Sequence, residues 1–239
     1  MRLHVVRSAV LSAALALGTL ASSDVHANMP PPPLLKVELG GVVEGLLGDG
    51  PYAAWSAKKA LVAFTETWSQ EGTGQGMSVT IAPTSGEPGK SVEVFDPNTD
   101  MESESDKAAV MSRARVALKA ELAGGDWKAL AFTAWPTKPG KDEPVALPTM
   151  ELAAAKVTLE VKKQVIYARV PGMKAAKKLL DLKKAGPGDT HVAEVQGAFG
   201  DANCPYVVVQ VHFEPKDYTE FNAVTQAFVV TIPKAPPSK

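Results

Sequence analysis

Apolar and polar side chains alternate along much of this chain, and fewer segments return to one face every three or four residues. Period two marks a strand with one buried face, and period 3.6 marks a helix. Met77 to Ala82 and Ser91 to Phe95 alternate between Gly and Pro boundaries and are expected to be strands. Lys156 to Lys162 sends Val157, Leu159 and Val161 to one face and Thr158, Glu160 and Lys162 to the other. Leu34 to Leu39, Lys128 to Trp135 and Gln164 to Val170 also read as strands, and a last one is expected near Phe228 to Ile232. Val192 to Phe199 and Tyr206 to Phe213 read as a hairpin, with Ala193, Val195 and Phe199 sharing a buried face with Val207, Val209, Val211 and Phe213. That register sets Glu194 opposite His212 and Gln196 opposite Gln210, and turns His191 to the apolar side.

Helical spacing is clearest from Ser105 to Leu122, where Val110, Ala114, Ala117, Leu118 and Leu122 share a face and Gly124-Gly125 follows. Ser103 or Ser105 suits its cap, and Asp106 complements the dipole in its first turn. Tyr52 to Trp68 also carries apolar residues at three- and four-residue spacing after Gly50-Pro51. Its second half is a β-like run, but the spacing favours a helix. Met173 to Lys184 reads as a helix with Met173, Ala176, Leu179 and Leu180 as its stripe. Asp217 and Glu220 form a capping box for a short helix carrying Tyr218, Phe221, Val224 and Phe228. Strands are not followed regularly by helices, which argues against a doubly wound parallel sheet. The expected class is α+β: a mostly antiparallel sheet packed with two to four helices.

The chain ends change the picture of where this domain works. Arg2 and Arg7 precede an apolar run from Ala9 to Ala21, and Val25-His26-Ala27 suits cleavage after Ala27. The order matches a secretory signal over residues 1–27, and the run is shorter than the roughly 20 residues a membrane span needs. An exported protein, periplasmic or secreted, is therefore expected. Residues 28–33 form a Pro-rich spacer, and residues 233–239 a Pro-rich tail. Between them, residues 34–232 form the globular region, which divides into two similar halves if the polar Pro/Gly stretch near 137–150 is a boundary.

The formal net charge is -1, which argues against a dedicated nucleic-acid binder. Charge is nonetheless uneven, with acids gathered from Glu87 to Asp106 and bases from Lys156 to Lys184. Lys174, Lys177, Lys178 and Lys183 on the expected helix suit weak contact with an anionic surface. The single cysteine, Cys204, allows no internal disulfide and reads as a small buried group beside Pro205 or as a link between chains.

No catalytic motif stands out. His191, Glu194, Asp201, Cys204 and His212 are the densest reactive cluster in sequence, and a hydrolase would need them to converge. The register separates the two histidines, and their spacing matches no zinc pattern. Asp96, Asn98, Asp100 and Glu102 place oxygen ligands at alternate positions, as a calcium loop begins. Met101 then stands where that loop needs Gly, and Lys107 where it needs Glu. No cofactor is implied. The expected function is a non-catalytic binding or envelope-associated protein, with a hydrolase of scattered residues and a calcium-dependent binding module as alternatives.

Overall fold

In a computed structural model, residues 38–48, 50–70, 74–85, 87–96, 104–141, 144–187, 191–216 and 222–234 are described. The signal, the spacer, Asn98, Asp100, Glu102 and the capping box at Asp217 lie outside them. In chain order, helix α1 (Leu39–Leu46) precedes strands β1 (Ala53–Ser56), β2 (Leu61–Gln70), β3 (Gly74–Pro83) and β4 (Lys90–Phe95). Helix α2 (Glu104–Leu122) leads to β5 (Lys128–Ala129), β6 (Ala131–Ala134), β7 (Thr137–Lys138) and β8 (Val145–Ala146). Then come β9 (Thr149–Leu152), a 3-10 turn (Ala153–Ala155), β10 (Val157–Lys162), β11 (Val165–Arg169) and β12 (Lys177–Asp181). A single helical turn, α3 (Leu182–Ala185), precedes β13 (His191–Gly200), β14 (Tyr206–Pro215) and β15 (Asn222–Thr231).

This is a β-rich fold, not the expected α+β mixture with two to four packed helices. Three segments with helical spacing are strands. Residues 53–56 and 61–70 are β1 and β2, joined by a turn in which Ala60 takes a left-handed φ of 52°. Lys177–Asp181 is an edge strand, and β15 takes up Val224 and Phe228. Sheet pairing overrode the local pattern: Val62, Ala63 and Phe64 pair with β1 on one edge of β2 and with β3 on the other. Conversely, Leu39, placed in a strand by its sequence, opens a helix that buries Val42, Val43 and Leu46.

Among the described residues all strand pairs are antiparallel, and the largest sheet has nine strands. Its pairings close on themselves. β2 pairs with β15, β15 with β14, β14 with β13, and β13 with β6. One residue before β6, Leu130 donates to the Ala53 carbonyl at 2.9 Å and β5 pairs with β1, which returns to β2. Strands β1, β2, β13, β14 and β15, with Leu130 between β5 and β6, turn apolar groups into a common core, including Trp55, Phe64, Phe199, Val208 and Ala227. Strands of both sequence halves interleave in the ring, and the described residues all belong to the compact unit Pro32–Lys239.

Two further cores lie outside the ring. The opposite face of β1 to β4 packs on α1 and α2, where Ala114, Leu118 and Leu122 form the buried stripe read from sequence. Arg115 of α2 holds Glu44 of α1 through bonds of 2.6 and 2.9 Å, and Trp127 Nε1 donates to the Leu122 carbonyl at 2.7 Å. The outer face of β13 to β15 packs on a second, four-stranded sheet ordered β12-β11-β10-β9.

A bulge in β13 corrects the hairpin register. Val195 pairs with Val211, but Gln210 then meets Gly197 rather than Gln196. The extra residue reverses the alternation beyond it. Ala198 joins the outer core, and Phe199, expected on the face of Val207 and Val209, enters the ring opposite Val208.

Candidate functional site

Among the described residues lies an open cleft of about 880 Å³. Its floor is a cross-strand row: Phe95 pairs with Met77, Met77 with Thr67, Thr67 with Thr225, Thr225 with His212, and His212 with Glu194. Six strands at a spacing of ~4.8 Å extend this row over roughly 24 Å. All of these residues except His212 line the cleft. His212 stands behind Thr225, with Nδ1 3.0 Å from Thr225 Oγ1 and Nε2 3.8 Å from Glu214.

The floor is polar yet largely buried. Thr65, Thr225 and Gln210 are only 5%, 9% and 9% exposed. Gln210 sits between Gly197 and Ala227 in the ladder, so neither neighbour crowds its amide. The Gln196 bulge carries its carbonyl to the Trp135 amide at 2.8 Å, and Trp135 Nε1 donates to the Leu147 carbonyl at 2.7 Å. These bonds fix Trp135 as a wall. Phe132 packs against Phe199 with ring centres 4.8 Å apart and planes tilted by 51°, forming a second wall, and Met111 of α2 contributes a third.

Of the residues marked in the sequence, Glu194 lines this cleft and His212 supports it. Their predicted pairing is present. His191 pairs with Pro215 at the start of β13. Asp201 and Cys204 lie past the other end of that strand, ~23 Å from Glu194 at ~3.3 Å per residue. Asp201 Oδ1 accepts the Asn203 amide at 2.7 Å in the turn, and Cys204 packs in the ring core with its thiol pushed up to about 11 by burial. The five therefore form no single site. Asp96 directly follows β4 and is the one described member of the candidate calcium set. Among the described residues, no three His, Cys, Asp or Glu side chains meet as a metal-binding group.

The lysines expected on one helix face are distributed differently. Lys177 and Lys178 belong to β12, with Lys178 bonded to Asp181 at 2.9 Å, and Lys183 to α3. Among the described residues no helix is long and apolar enough to cross a membrane. The cleft floor was missed by sequence reasoning because Thr65, Thr67, Gln210 and Thr225 meet only through strand order. No family model, curated protein or solved structure matches this chain.

Proposed function

We propose that this is a non-catalytic binding protein, exported by its N-terminal segment, whose ligand lies in the cleft. The observation that carries this reading is the lining. Thr65, Thr67, Thr225 and Gln210 set neutral hydroxyl and amide groups along a space walled by Phe95, Met111, Phe132 and Trp135, with Lys107 and Glu194 as charged members of its lining. Such a site satisfies a few polar atoms of a ligand while removing its apolar length from water. An elongated, uncharged amphiphile fits that chemistry. Titration with a monoacylglycerol, read by tryptophan fluorescence, should saturate at one ligand per chain. Gln210→Leu should weaken binding about tenfold, since an unmet ligand group loses on the order of 1.4 kcal/mol. Unsaturable binding, or equal binding by the variant, refutes this reading.

One observation favours a hydrolase as the second reading. The Thr225 hydroxyl at the cleft floor lies 3.0 Å from His212 Nδ1, which places a hydroxyl beside a base. Turnover in a panel of ester, amide and glycoside substrates, lost in His212→Gln, would establish it. Its absence leaves the binding reading.

A further inference from the structure

The second sheet carries a charge surplus that the cleft does not use. Residues 149–187 hold nine Lys or Arg against three Asp or Glu, in a chain of net charge -1. On its solvent face a concavity of about 280 Å³ is bordered by Thr149, Thr158, Glu160, Lys162, Arg169 and Lys174. Thr158 of β10 pairs directly with Arg169 of β11, so a hydroxyl and a guanidinium stand side by side, roughly 5 Å apart at Cβ. Lys162 and Glu160 neutralise each other at 2.7 Å, and Lys178 is held by Asp181. Arg169 and Lys174 make no such pair among the described residues. Arg169 also borders a second concavity of about 460 Å³ with Lys156 and Glu151, the latter paired with Thr158 on the far side of the row from Arg169. A fork beside a hydroxyl and a mobile ammonium is the donor set that a tetrahedral oxyanion takes up, with two oxygens on Arg and the others on Thr and Lys.

We infer that Arg169, Lys174 and Thr158 form a binding site for a phosphate monoester, separate from the cleft. The ester belongs either to a free metabolite or to a lipid headgroup, and two arms tell these apart. In one, the full-length chain is titrated with glycerol phosphate by calorimetry. In the other, it is floated with phosphatidylcholine vesicles containing phosphatidic acid, against phosphatidylcholine alone. Binding in at least one arm, lowered fivefold or more by Arg169→Gln, is the expected result. Arg169→Lys should recover only part of it, because an ammonium cannot bind two oxygens as the fork does. No binding in either arm overturns the inference, as does binding that Arg169→Gln changes less than fivefold. Arg169 is exposed, so its variants should keep the parental thermal transition, and a scan beside each titration verifies it.

Discussion

The carboxylate of Glu66 accepts the backbone amide of Ala227 at 3.2 Å, across 161 positions of sequence. This bond stands where the ladder divides. β15 follows β2 as far as the pair Thr225 and Thr67. At the next step Thr65 donates instead to the Tyr52 carbonyl at 3.1 Å, because β1 has taken that edge. The Ala227 amide is left without a strand partner on β2, and the Glu66 side chain supplies one. Its other oxygen accepts the Thr80 hydroxyl at 2.5 Å. Glu66 thus seals the point where one strand serves two neighbours and the ring can close. Glu66→Ala should cost about 1–3 kcal/mol, the penalty for leaving a largely buried amide unmet. Urea unfolding measures the loss, and amide exchange should quicken at Ala227 first. A variant as stable as the parent would show that water replaces the carboxylate.

Gly197 holds the ring shut at its other seam. A Cβ there would stand 2.5 Å from Phe132 Cζ and 2.6 Å from the Thr133 carbonyl oxygen. Thr133 pairs with Ala198, so yielding to that Cβ parts β6 from β13. Gly197→Ala should destabilise by about 1–3 kcal/mol, as overpacking does. Gly50→Ala meets no atom within 4 Å and should fall within ~0.5 kcal/mol of the parent. Equal urea midpoints for the two variants would contradict the seam.

The sequence made some of this legible for physical reasons. Strands β4, β10 and β11 show period two because one face meets a core and the other meets solvent, whereas β14 buries Val207 and Val209 in the outer core and Val208 in the ring. The α2 stripe was visible because Ala114, Leu118 and Leu122 bury one face of a regular helix. The β1–β2 hairpin was hidden because its turn, Ala57-Lys58-Lys59-Ala60, contains no Gly, Pro, Asn or Asp. Asp126 stabilises it from a distance, accepting the Ser56 hydroxyl at 2.7 Å and the Lys58 amide at 2.9 Å. Within the candidate site, alternation exposed the pairing of Glu194 with His212. It did not show that Thr67 and Thr225 continue the row, since that depends on the order in which distant strands assemble.

Asp126 should leave a mark on the acid limb of stability. The Ser56 hydroxyl, followed by the Lys58 amide, holds its carboxyl below the usual range. A carboxylate depressed in the folded state stabilises fully above its unfolded value, and the contribution disappears as pH falls through the folded value. The stability gap between the parent and Asp126→Asn should therefore be constant from pH 7 to about pH 5 and narrow below the ordinary carboxylate range. Urea midpoints at pH 6 and pH 3 test this. A gap that widens toward pH 3 would reverse the sign and remove the role given to the Ser56 hydroxyl.

Cys204 should behave as packing rather than as a reactive group. It is 3% exposed in the ring core, next to the turn in which its amide donates to the Asp201 carbonyl at 3.1 Å. Burial pushes its thiol from 9.0 to about 11, and Asp201 adds to the shift, while a bond with the Tyr206 backbone opposes it. Two units of pKa lower the thiolate fraction about a hundredfold near neutral pH, and the thiolate is the reacting species. Labelling with a disulfide reagent at pH 8 should therefore be at least ~100-fold slower than for a free thiol, and should accelerate with urea in step with unfolding. Fast labelling of the native chain would mean that this end of the ring opens, and would return Cys204 to the reactive candidates.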